Sequence, residues 1–157
     1  MGPELACPRP LVLDTNIVLD LLVFSDAAAQ PLQAALACRT LDWLATPAMR
    51  DELERVLGYA QIASRMSLAG LEAVGVLARF DRQARIVEAA GRAPVLCRDR
   101  DDQKFIDLAV RHKCLLLSKD VAVLALGKKL AALQVSVVPA IPSNACGWAS
   151  LPAAGTT

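Results

Sequence analysis

The apolar residues of this chain come in short runs that stop at acidic or polar residues. Leu11-Val12-Leu13 meets Asp14, and Leu115-Leu116-Leu117 meets Ser118-Lys119-Asp120. Runs this short fit strands buried on both faces. Between them apolar positions recur every three or four residues, the period of an amphipathic helix. Strands are predicted near 11–13, 42–45, 85–88, 114–117 and 135–138. Helices are predicted from the Asp14-Thr15-Asn16 cap to 24, over 27–39, and over 47–57 with Pro47 in the first turn. Two more should fill 59–81, and others 102–113 and 121–126. Such alternation predicts an α/β fold whose central, mostly parallel sheet is covered on both faces.

A length of 157 residues suits one domain. Residues 1–9, with Pro3 and Pro8, read as a flexible lead-in, 10–140 as the folded domain, and 141–157 as a tail with Trp148 as a local anchor. With 55% hydrophobic and 21% charged residues, the composition excludes intrinsic disorder. No apolar stretch approaches the ~20 residues of a membrane span, and the N-terminus lacks a signal-peptide layout, so a cytoplasmic protein is expected. Net charge is +1, so a polyanion partner would need a local patch. Six aromatic residues are too few for a stacking platform. The five cysteines are scattered, which reads as reduced thiols and not as a zinc site or disulfide framework.

Carboxylates are the remaining chemistry, since there is one histidine, no Gly-rich phosphate loop and no G-x-S-x-G elbow. Asp14 and Asp120 stand at or just beyond strand ends, where α/β sheets bind ligands. Each also reads as a helix cap. Asp102 shares a helical stripe with Phe105, Ile106 and Ala109, and a carboxylate there is costly unless paired or metal-bound. Asp107 falls on the opposite, solvated face. Asp99 and Asp101 are caps or extra ligands. Glu52 flanks the apolar face of Met49, Leu53 and Val56, whereas Glu54 has Arg50 at i−4 and reads as a surface pair. His112 reads as a helix-surface residue.

Four segments in this order resemble the PIN-domain ribonucleases, and among them the toxin components of bacterial type II toxin–antitoxin systems. They are Val12-Leu13-Asp14-Thr15-Asn16, Asp51-Glu52-Leu53-Glu54-Arg55-Val56-Leu57, the stretch from Cys97 through Asp99, Asp101 and Asp102 to Phe105 with Ala109, and Leu116-Leu117-Ser118-Lys119-Asp120. The resemblance implies a three-layer α/β/α PIN-like domain. It implies an acidic pocket of Asp14, Glu52, Asp102 and Asp120 binding Mg2+ or Mn2+, with Thr15, Asn16 and Ser118 orienting the carboxylates. A protein antitoxin and a homodimer come from the resemblance alone. The family often carries a further acid where this chain has Ala122, which shifts weight to Asp99 or Asp101.

Hydrolysis of an RNA phosphodiester suits such a site, because oxygen-only donors favour hard divalent ions that acidify water and polarise the phosphoryl group. Asp14, Asp102 and Asp120 are the expected ligands. Glu52 is expected to hold a water on the ion or to act as general base. Arg98, Arg100, Lys104 and Lys119 are candidate RNA contacts beside the acids. Two alternatives remain: a PIN-fold module that binds RNA or antitoxin with a weakened site, and a haloacid-dehalogenase-type phosphatase. The latter starts with D-x-D, whereas this chain has Asp14-Thr15-Asn16.

Overall fold

The computed structural model describes residues 8–141. Their strands are β1 (Arg9–Leu13), β2 (Leu41–Ala45), β3 (Ala84–Ile86), β4 (Leu115–Leu117) and β5 (Ser136–Val138). All pair in parallel in the order β3-β2-β1-β4-β5. The chain steps from β1 to β2 and β3 on one side, then crosses to β4 and β5 on the other. Strand order therefore reverses at β1, and the carboxyl ends of β1 and β4 open onto the switch point.

Among the described residues the helices are α1 (Thr15–Leu22), α2 (Gln30–Ala37), α3 (Pro47–Leu57), α4 (Ala60–Leu68), α5 (Ala73–Gln83), α6 (Gln103–His112), α7 (Val121–Leu124) and α8 (Gly127–Ala131). They flank the sheet, giving the three layers expected. Leu11, Val12, Leu115, Leu116 and Leu117 are buried to 1% exposure or less, as a strand covered on both faces must be. In β2, Trp43 meets Phe80 of α5 edge-on, with ring centroids 5.0 Å apart. Thr46 caps α3 through Oγ1, which accepts the Met49 N–H at 3.4 Å, and Pro47 follows in the first turn. Lys113 ends α6 in a left-handed conformation (φ 51°) and turns the chain into β4.

Several local expectations change. The helix expected over 27–39 is a 3-10 turn, Ala27–Ala29, followed by α2; Pro31 lacks the N–H that a continuous helix would require there. Helix α8 fills the interval between the predicted 121–126 helix and 135–138 strand, packing Leu130 into the core. Arg50 pairs with Asp81 in two bonds of 2.7 and 2.9 Å, joining α3 to α5, where Glu54 was the expected partner. Cys97 and Cys114 are free and buried, but Cys38 is disulfide-bonded, so reduced thiols are not general. Spacing along the chain carries no information on which sulfurs meet in space.

The expected lead-in and tail, with Cys7, Cys146 and Trp148, lie outside the described residues except at the edges, where Arg9 already opens β1. No single described helix is long and apolar enough to cross a membrane. The one helix pair that qualifies jointly, Thr15–Leu22 with Ala27–Ala37, is bent by 101°.

Candidate metal centre

The two central strands end in contact. The Asp14 N–H donates to the Leu117 carbonyl at 3.1 Å, locking the end of β1 to that of β4. Asp14 Oδ1 accepts the Ile17 N–H at 2.9 Å, capping α1, while Oδ2 accepts the Ser118 hydroxyl at 2.5 Å. Ser118 is fully buried, and its Oγ also accepts the Asp120 N–H at 3.1 Å. One hydroxyl thus sets the spacing between two acidic residues. Asp120 in turn caps α7, its Oδ1 accepting the Ala122 N–H at 2.8 Å. For both aspartates, helix capping and a position at the carboxyl end of a strand coincide.

Asp102 closes a 3-10 turn, Arg100–Asp102, that leads into α6. Its Oδ2 is buried without a hydrogen-bond partner. Carboxylate oxygens of Asp99, Asp102 and Asp120 all lie within 4.8 Å of one another. Burial, reinforced by Asp120, Asp99 and Asp14, lifts the Asp102 carboxyl to about 7. Burial also raises the Asp14 carboxyl; bonds from Ser118 and the Ile17 N–H oppose this, and the charge of Asp120 adds to it. Repelling carboxylates held together by a rigid frame are what a bound cation would relieve.

A cleft of about 250 Å³ adjoins the cluster, lined by Asp14, Thr15, Asn16, Glu52, Tyr59 and Asp102 among others. Glu52 reaches it from α3, and its Oε1 accepts the Thr15 hydroxyl at 2.8 Å and meets Lys104 Nζ at 3.0 Å.

The sequence profile described as PIN domain matches residues 10–122, well over half of the chain. The chain belongs to the PIN-domain family. A search of curated proteins finds no match. PIN domains are generally nucleases and typically bind a divalent metal, and this one has residues that fit such an ion. Its donors are all oxygen, as a hard cation prefers, and the buried Oδ2 of Asp102 is an acceptor with no donor.

In this PIN domain Asp99 joins the cluster and Asp101 does not. The exposed Asp101 donates its N–H to Asp99 Oδ1 at 2.9 Å and offers its carbonyl to Lys104. Asn16 is exposed on the cleft wall. Ala122 contributes only its backbone N–H, to Asp120. Among the candidate RNA contacts, Lys104 is paired with Glu52 and Lys119 with Asp20. Arg98 and Arg100 are exposed and form no ion pair among the described residues.

Some contributors escaped the sequence reading. Asp107 is not simply solvated: Oδ1 accepts the Ala93 N–H at 2.9 Å and a Gln103 Nε2–H at 2.8 Å. Gln103 also accepts the Cys97 N–H at 2.6 Å and donates to the Val95 carbonyl at 3.0 Å. Together they staple to α6 the loop that delivers Asp99. Tyr59, exposed at 54%, stands at the cleft wall. The i, i+4 spacing of Gln103 and Asp107 was a usable signal, whereas nothing local marked Tyr59.

Ser118→Ala tests the frame. Losing a buried hydroxyl that serves two partners should cost ~1–3 kcal/mol of stability. Divalent-metal affinity should fall ~10–100-fold, the usual effect of removing a group that orients a ligand. Thermal unfolding and a Mn2+ titration measure the two effects.

Proposed function

We propose that this PIN domain is an endoribonuclease dependent on Mg2+ or Mn2+, and the toxin of a toxin–antitoxin pair. The observation that carries the metal dependence is the Asp99–Asp102–Asp120 cluster, with its buried partnerless oxygen, at the switch point of a parallel sheet. A divalent ion bound there supplies a Lewis acid for the phosphoryl oxygen and lowers the pKa of water. Asp14, Asp102 and Asp120 are the proposed ligands, with Asp99 in the role left open by Ala122. Ser118 holds Asp14 in register, and Thr15 orients Glu52. The second oxygen of Glu52 is proposed to take the proton of the attacking water. Arg98 and Arg100 are proposed to hold flanking phosphates, being free of carboxylate partners among the described residues.

A toxin role rests on the four ordered segments that resemble such toxins, and with it come a protein antitoxin, homodimerisation and a cytoplasmic setting. A phosphatase reading is disfavoured because Asn16 stands where that class carries the second Asp of its D-x-D start. Ala122 favours the other alternative, a binding module with a weakened site.

The test is incubation of the protein with a structured RNA pool in Mn2+, Mg2+ or EDTA, beside an Asp14→Asn variant. Cleavage that needs metal and disappears in the variant is the expected result. Metal binding with no turnover would favour the binding module, and equal cleavage by both proteins would remove the site's support.

A further inference from the structure

The acids around the cleft differ in what they already hold. Among the described residues no cation pairs with Asp99, Asp102 or Asp120; Asp99 and Asp120 accept backbone N–H groups, from Asp101 and Ala122, and the Asp102 and Asp120 carboxyls stand close enough to share a proton. Glu52 is different. Its Oε1 meets both the Thr15 hydroxyl at 2.8 Å and the Lys104 ammonium at 3.0 Å. Surface lysines usually wave freely and gain little from a single carboxylate. Lys104 is fixed from further directions: Nζ donates to the Asp101 carbonyl at 2.6 Å and stands 4.8 Å from the centroid of the Phe105 ring. Its side chain is 28% exposed and that of Glu52 only 16%. The ammonium is therefore fixed beside Glu52 and Phe105, which line the cleft.

We infer that the Lys104 ammonium serves as the second cation of this centre, which loads one divalent ion on the aspartate side while Glu52 is neutralised by lysine and not by metal. This rests on the metal-dependent reading above. Two-metal phosphodiesterases place ions ~3.5–4 Å apart, so a second ion here would draw on carboxylate oxygen beyond the aspartate group. Here the carboxylate across the cleft is already matched by a monovalent charge that cannot leave on dilution. A dication taken by the second oxygen of Glu52 would lie against an ammonium held by a carbonyl, an aromatic ring and a carboxylate, and the two charges would repel. Lys104 is thus a positioning residue. It holds Glu52 by one oxygen and leaves a fixed positive charge beside the path of the phosphate, independent of metal concentration.

The experiment is a titration of the full chain with Mn2+, reading free Mn2+ by electron paramagnetic resonance. Wild type and Lys104→Arg should each bind one ion. Lys104→Met should bind two, and Lys104→Met combined with Glu52→Gln should return to one. Glu52→Gln alone should keep one ion with a Kd within ~3-fold of wild type, so the test stands even if Lys104→Met fails to fold. Two ions on wild type, or one on natively folded Lys104→Met, would overturn the inference and leave metal dependence standing. A tenfold weakening in Glu52→Gln would overturn it as well. No Mn2+ bound by wild type would overturn it together with the metal-dependent reading.

Discussion

Asp102→Asn is expected to lose ~10²–10³-fold of Mn2+-dependent RNA cleavage, the effect of a few kcal/mol of lost ion binding on the barrier. The same change should make the metal-free protein more stable at pH 8. Asp102 is buried against Asp120 and Asp99, and its Oδ2 has no donor. Asparagine removes the repelling charge and offers an N–H to Asp120. The pH dependence follows from the direction of the shift. In the folded protein the Asp102 carboxyl lies at about 7, above its ordinary 3.8. Its contribution to stability is therefore fully present below about 3.8 and is lost as pH rises through about 7. Metal-free wild type should be less stable at pH 8 than at pH 5.5, and the variant should show a flatter profile. Each kcal/mol relieved should raise Tm by ~2–4 °C in a chain of this size. Melting curves at the two pH values, with EDTA and with Mn2+, measure this. A variant that is less stable at pH 8, or that cleaves RNA as wild type does, would refute the role given to Asp102.

Trp43→Ala is expected to cost ~3–5 kcal/mol, the largest stability loss of any change considered. Trp43 is 1% exposed in β2, between β1 and β3, and packs edge-on against Phe80 of α5. The indole joins the sheet to the helix that leads into β3. Its neighbours Leu44 and Leu11 are themselves almost wholly buried, so the site can collapse only partly. Chemical denaturation should show a lower midpoint with an unchanged slope if the native state stays compact. A loss below about 1 kcal/mol would mean that the cavity refills.

How legible the molecule was in its sequence depended on the range of the interaction. The strands were readable because Leu11–Leu13 and Leu115–Leu117 are continuous apolar runs, which in a parallel sheet means burial on both faces. Asp14 and Asp120 were legible as caps from their immediate neighbours. Their joint dependence on Ser118 was not, since that hydroxyl and Asp14 are 104 positions apart. The membership of Asp99 and the exclusion of Asp101 were equally hidden, because a 3-10 turn decides which carboxylate faces inward. Lys104 and Lys119 were legible as cations near acids. Only the fold assigned them to Glu52 and Asp20 instead of to solvent.

The site also has a history within the making of each molecule. Asp14 is synthesised before the hydroxyl that holds it and before the acids of the cluster, all of which lie between positions 99 and 120. Strand β4 cannot pair with β1 until that later stretch exists, so the centre assembles only after it has been made. Until then Asp14 has neither the Leu117 carbonyl nor the Ser118 hydroxyl that fix it.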